Sequence, residues 1–283
     1  MRSRIAVPDS LALQPLLFGL SKPGSPFELV TDLPAKNAIA LSERTSDLRC
    51  AFLSPIDYAR HGGEYCIVPD VALVSSSASG TIQLLVKSDI SNISTLAVDV
   101  RVTSEIILAK IILMERYRNL PASGADLKYV PMLPDPVRML EKADAALIVH
   151  TGLPPDTDEP QGMFTLDLVE EWTDMTDLPY VHGFWVGREE ELTADEARAL
   201  WTAKREGVNL RSRIAADAAL ARTLPAVRVE EYFQAFTYDF GEAETQSFEE
   251  FIRYAYFHGA ITDMPEVQLF DLGDDAPPPP AVN

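Results

Sequence analysis

Tyr180-Val-His-Gly-Phe-Trp-Val186 is a strand-like apolar run, and Thr81-Ile-Gln-Leu-Leu-Val86 has the same character earlier in the chain. The two are roughly 100 residues apart, the size of a small domain. Between them the pattern alternates: strand Leu96–Val98, helix Thr103–Arg116, short strand Tyr129–Pro131, helix Asp135–Ala143 and buried strand Ala145–Val149. Short apolar runs alternating with helix-period segments predict parallel strands in an α/β fold. A chain that leaves one lobe, builds a second and returns through a paired crossing predicts a two-lobed protein with a hinge.

Working outward, Ile5–Val7 opens the chain as a strand, followed by a helix over Leu11–Leu20. Strand Phe27–Val30, helix Ala35–Glu43 and strand Cys50–Leu53 complete the first part. After Arg188 the pattern turns helical. Thr193-Ala-Asp-Glu196 is a capping box opening an amphipathic stretch to about Ala221, with Gly207 as an interruption. Helices over Val229–Phe236 and Ser247–His258 follow, the second stopped by Gly259. The expected division is lobe one over 1–90, lobe two over 91–184, a mostly helical return to lobe one over 185–272, and a disordered Pro-rich tail over 273–283.

The 283 residues are 47% hydrophobic and 24% charged, enough for sizeable cores, and the net charge is -19. Such an acidic field opposes nucleic-acid phosphates and anionic lipid, so neither is an expected partner. It also means that an anionic ligand needs local, preorganised donors. Cys50 and Cys66 each sit in apolar runs and read as buried thiols. No apolar run approaches the ~20 residues of a membrane span. The start lacks an export pattern, and a cytoplasmic protein is the expectation. No pair of the four histidines stands at metal-ligand spacing with a third ligand, so no metal is expected. Phosphate-loop, dinucleotide and nucleophile-elbow motifs are absent.

Candidate ligand groups fall at strand ends and a helix start. Thr103 and Ser104 open the second-lobe helix, where hydroxyls and free N–H groups favour an anion; the alternative is a plain N-cap. Ser75-Ser-Ser-Ala-Ser-Gly-Thr81, containing Ser76 and Ser77, is either a ligand loop or a connector. Asp9 and Ser10 follow the first strand and Ser54 the third, as ligand-facing groups or as turn residues. His150 follows strand Ala145–Val149 as a donor or proton carrier, or as a structural histidine.

Several segments taken in order resemble one family. They are Pro15-Leu-Leu-Phe-Gly-Leu20, Leu53-Ser-Pro-Ile-Asp-Tyr-Ala-Arg60, Ile67-Val-Pro-Asp70 and Ala97-Val-Asp-Val-Arg-Val-Thr-Ser104. Met139–Leu147, Asp167-Leu-Val-Glu-Glu-Trp172 and Thr176-Asp-Leu-Pro-Tyr-Val181 complete the set. Together they resemble the chorismate dehydratase family of the futalosine route to menaquinone, to about Phe270. The resemblance implies a periplasmic-binding-protein-like (type II) fold in a protein that is not exported. It also implies a cofactor-free lyase that removes water from chorismate to give 3-[(1-carboxyvinyl)oxy]benzoate. Thr81 then falls near the family's serine after its loop, Thr103 and Ser104 match its Thr-Ser, and Ser54 lies in its serine-containing loop. Thr81 and His150 are the expected catalytic residues; Asp9, Ser10, Ser54, Ser76, Ser77, Thr103 and Ser104 are the expected ligand contacts.

Four segments depart from the family pattern: Ala12 for an asparagine, Ser77-Ala78 for Gly-Pro, Val149-His150 for Gly-Asp, and Asp177 for the glycine of Thr-Gly-Leu-Pro. The expected ligand is chorismate or a relative, in a monomer or homodimer. The competing expectations are a non-catalytic binding protein for a small aromatic carboxylate and a related lyase with a modified substrate.

Overall fold

The computed structural model describes residues 2–43, 47–61, 63–87, 89–90, 93–117, 127–155 and 163–272. The Pro-rich tail over 273–283 lies outside the described residues. Two five-stranded mixed sheets carry the fold. The first contains β1 (Ser3–Val7), β2 (Phe27–Thr31), β3 (Leu48–Leu53), β4 (Cys66–Ser75) and β10 (Tyr180–Gly187), in the order β2-β1-β3-β10-β4. The second contains β5 (Ile82–Val86), β6 (Thr95–Asp99), β7 (Lys128–Met132), β8 (Ala145–Val149) and β9 (Phe164–Asp167), in the order β7-β6-β8-β5-β9.

In each sheet parallel strands are joined by a strand arriving from the other half. β1 runs parallel to β2 and β3, whereas β10 lies antiparallel between β3 and β4. β6 runs parallel to β7 and β8, whereas β5 lies antiparallel between β8 and β9. β5, read from sequence as the close of the first half, therefore pairs in the second sheet. The physical reason is β4: its ten residues complete the edge of the first sheet, so the crossing is made by residues 76–81 before β5 begins.

Helices cover both sheets. α1 (Gln14–Leu17), preceded by a 3₁₀ turn at Leu11–Leu13, replaces the single helix expected over Leu11–Leu20. α2 (Pro34–Ser42) and α3 (Pro55–Arg60) begin with proline at their first turn, where the missing N–H costs nothing. α4 (Ser104–Glu115), α5 (Pro136–Lys142) and α6 (Leu168–Thr176) accompany the second sheet. α7 (Ala194–Asn209) keeps the expected capping box at Thr193, but the long amphipathic stretch breaks at Leu210, with α8 at Arg211–Arg222. Gly207 does not interrupt the helix. A Cβ there would stand 1.7 Å from the Pro15 carbonyl oxygen, so glycine lets α7 press against α1. α9 (Ala226–Gln234) and α10 (Glu242–Phe257) are the last helices among the described residues.

The second crossing is anchored by Trp172, which is fully buried on α6. Its indole N–H points at Ser247 Oγ (3.2 Å) and the Pro179 carbonyl (3.3 Å), and its ring packs edge-on against Tyr180, Phe251 and Tyr254. Truncating so large a side chain typically costs about 3–5 kcal/mol. Its neighbours Thr176–Pro179 thus form the joint that delivers β10 into the first sheet. Asp177 in this joint is exposed and adopts φ 58°, the left-handed position that ends α6. Its departure from the family's glycine belongs to a helix terminus.

Candidate functional site

A cavity of about 440 Å³ lies between the two sheets. It is walled by residues at the carboxyl ends of β1, β3, β6 and β8, the place where open α/β sheets bind ligands. Asp9, Ser10, Ser54, Thr81, Thr103, Ser104 and His150 all line it, as does Ala12. Ser76 and Ser77 do not: they are exposed, as is Ala78, where the crossing swings across the surface. Only the end of that loop turns inward. The Ser79 and Gly80 N–H groups donate to Asp167 Oδ2 at 3.0 and 2.6 Å, and the Ser79 and Thr81 hydroxyls lie 2.6 Å apart.

The start of α4 is the most distinctive wall. Thr103 is the N-cap, yet its side chain makes no capping hydrogen bond, and Ser104 Oγ is buried with no hydrogen-bond partner among the described residues. The Tyr180 phenol stands beside Ser104 but outside hydrogen-bonding geometry. The start of α4 presents the positive end of the helix dipole, with the Thr103 and Glu105 N–H groups turned towards the Glu105 carboxyl. A buried hydroxyl lacking a partner carries an appreciable desolvation cost that a ligand atom would relieve.

Other candidates are committed to the protein. Ser54 caps α3, its Oγ accepting from the Asp57 N–H and donating to Asp57 Oδ2 at 2.8 Å. His150 Nε2 lies 3.0 Å from Gln83 Oε1, and burial lowers its pKa. Because that oxygen only accepts, Nε2 carries the proton and Nδ1 is left as an acceptor. Burial thus disfavours the charged form of the His150 ring on the wall. Its backbone N–H donates to the Thr81 carbonyl at 2.8 Å, which holds the ends of β5 and β8 in register.

Groups not singled out from sequence, together with the expected Asp9, give the cavity its charge. Asp9, Asp32, Asp57, Asp99 and Glu105 all line it, against the single cation Arg101. That guanidinium grips Asp99 through Nε and Nη2, the latter at 2.7 Å. Burial raises the Asp57 pKa, and burial together with Asp57 and Asp99 pushes Glu105 up to about 7. His182 on β10 also lines the cavity; Ser75 Oγ is 3.0 Å from its Nε2, and burial lowers its pKa to about 3. Its ring meets Tyr180 and Phe236 edge-on, and with Phe52 makes an aromatic side to the pocket. An acid in the first turn of a helix ordinarily reads as a dipole partner, so Glu105 gave no distinguishing signal. Asp57 was legible only as the second half of a Ser-x-x-Asp cap. Among the described residues no three His, Cys, Asp or Glu side chains converge as a metal site, and no helix is long and apolar enough to cross a membrane.

Two mixed sheets exchanging strands around a cleft define a periplasmic-binding-protein-like architecture. Solved structures agree: protein AF1704 from Archaeoglobus fulgidus superposes with a TM-score of 0.68 at 20% identity, over 91% of this chain and 98% of its own. The periplasmic aliphatic sulphonate binding protein SsuA from Escherichia coli gives 0.59 at 15% identity, covering 93% and 94%. The Candida albicans CA3427 gene product, described as having the generic periplasmic binding protein structural fold, gives 0.61 at 10%, covering 97% and 99%. At these identities the likeness concerns the fold. The sequence is more specific: residues 3–257 match the family described as menaquinone biosynthesis, and the chain belongs to that family.

Proposed function

We propose that the protein is a chorismate dehydratase-like lyase, removing water from chorismate to give 3-[(1-carboxyvinyl)oxy]benzoate. The observation that carries this reading is the start of α4, where the non-capping Thr103 side chain and the unpartnered Ser104 hydroxyl line the cleft of a menaquinone-biosynthesis protein. These are donors suited to a carboxylate. Phe52, Phe236 and His182 supply an aromatic side for the ring. In the reaction one ring C–H bond and the neighbouring C–OH bond break, a third ring double bond forms, and water leaves. Orientation and proton movement are the whole task of the site. Thr103 and Ser104 orient a carboxylate, and the Thr81 hydroxyl meets the ligand from the opposite wall. Incubating the purified protein with chorismate, followed by ultraviolet absorbance and mass spectrometry, tests the proposal. Product with the mass of chorismate less one water supports it; unchanged chorismate beside an active family member rejects it.

The acidic wall favours a second reading, a related lyase acting on a substrate with fewer charges and more hydroxyl donors. Asp9, Asp32 and Asp99 meet Arg222, Lys36 and Arg101, whereas Asp57 and Glu105 make no ion pair among the described residues. Thermal-shift titration with chorismate and with a neutral polyhydroxylated cyclic ether separates the two: stabilisation by the neutral compound alone selects the second.

A further inference from the structure

We propose that Glu105 is the proton carrier of the cleft, receiving the ligand as a neutral acid and giving its proton to the departing hydroxyl. The placement carries the inference. Glu105 follows Thr103 and Ser104 in the first turn of α4, lines the cavity and is only partly accessible from it. It thus stands beside the same N–H groups and hydroxyl that suit a carboxylate ligand. Two negative groups cannot share that position cheaply in a cavity of low polarity.

The surrounding charges sharpen this competition. Asp57 faces it from α3, and Asp99 from the end of β6, where Arg101 is already engaged with that carboxylate. Tyr180 approaches from β10, and His182, His150, Asp9 and Asp32 complete the titratable groups around the wall. Both histidines are pushed towards the neutral form by burial, so no cation stands ready to hold Glu105 ionised. Its pKa of about 7 already reflects burial and the two aspartates, although the N–H groups of Glu105 and Thr103 pull the other way. An arriving carboxylate raises it further, so binding above neutrality takes up a proton.

The chemistry then closes on one residue. This step rests on the lyase reading above. In chorismate the ether and hydroxyl substituents are trans, so the departing hydrogen and hydroxyl lie on one face of the ring. The Glu105 O–H proton passes to the hydroxyl, the C–O bond breaks and water leaves. The carboxylate so formed takes the ring proton, whose C–H electron pair becomes the third double bond of the aromatic product. Glu105 ends protonated, with no net change.

Three proteins test this: wild type, Glu105→Gln and Glu105→Asp, each checked for an unaltered melting transition and circular dichroism. With chorismate, Glu105→Gln is expected to lose at least 100-fold in kcat with KM changed less than threefold, and Glu105→Asp to recover part of the rate. Glu105→Gln turning over like wild type overturns the assignment while leaving the lyase reading intact. A second arm is independent of turnover. Binding of 3-hydroxybenzoate at pH 8 is measured calorimetrically in two buffers of different ionisation enthalpy. Uptake approaching one proton by wild type and none by Glu105→Gln supports the proton carrier, even if chorismate is not consumed. Equal uptake by both proteins, or binding by neither, overturns it.

Discussion

At the scale of single residues, the cavity separates groups committed to the fold from groups left for a ligand. Ser54 was legible as a serine after a strand, but only coordinates show its hydroxyl engaged by Asp57. Thr103 is the reverse case: its sequence position says cap, and its side chain does not cap. Thr103→Ala is therefore expected to change stability by less than about 0.5 kcal/mol, below the usual cost of a lost cap. Ligand affinity should fall about 3- to 10-fold, the worth of one hydrogen bond. Denaturant unfolding and calorimetry check both; a stability loss with unchanged affinity would make Thr103 merely structural. Glu105 allows a prediction of opposite sign to most core substitutions. Its folded pKa of about 7 lies above the ordinary carboxylate value. The stability it supports is complete at acidic pH and is lost as pH rises from about 4.5 through 7. Glu105→Gln should therefore leave stability unchanged near pH 4 and raise it at pH 8 by roughly 1–3 kcal/mol. Melting temperatures across that range provide the measurement, and a variant less stable at pH 8 would contradict the buried-acid account.

At the scale of elements, hydrophobic periodicity revealed most strands and helices, because burial writes itself into spacing. What it missed are features set by contacts distant in sequence. Gly207 reads as a helix breaker until Pro15 is found against it. The strand Ile82–Val86 looks like the end of one half because local pattern carries no record of partners; β8 and β9 claim it for the second sheet. Asp177 shows the same limit. From sequence it joins Ala12 and His150 as a departure from the family, but those two line the cavity and Asp177 ends a helix. At φ 58° an aspartate carries a conformational cost that glycine lacks. Asp177→Gly is expected to stabilise the protein by about 0.5–1 kcal/mol without altering ligand affinity. A thermal melt and a binding isotherm read the two effects, and a changed affinity would tie the α6 terminus to the site after all.

At the scale of the molecule, the two-sheet plan was legible because paired crossings are a topological signature, whereas the coupling between crossings was not. Asp167 supplies it. Its Oδ1 caps α6 through the Val169 and Glu170 N–H groups at 2.9 and 3.2 Å, while Oδ2 accepts from Ser79 and Gly80. One side chain therefore fastens the outgoing crossing to the helix that leads into the return crossing. The same loop end carries Thr81, whose carbonyl holds His150, so the fastening reaches the cavity wall. In the sequence Asp167 is an ordinary acid before a helix; its second pair of donors lies nearly 90 residues away. Removing the carboxylate leaves the α6 start and the inner end of the loop without their acceptor. Asp167→Ala should cost about 2–4 kcal/mol, more than a cap alone, because several charge-assisted hydrogen bonds are lost together. Asp167→Asn keeps one acceptor oxygen and should fall between the two. Amide hydrogen exchange distinguishes this from a local cap effect. In Asp167→Ala the Ser79 and Gly80 amides should lose protection along with those of Val169 and Glu170, and ligand affinity should drop as Thr81 is released. Protection lost only at Val169 and Glu170 would reduce Asp167 to a helix cap and leave the two crossings uncoupled.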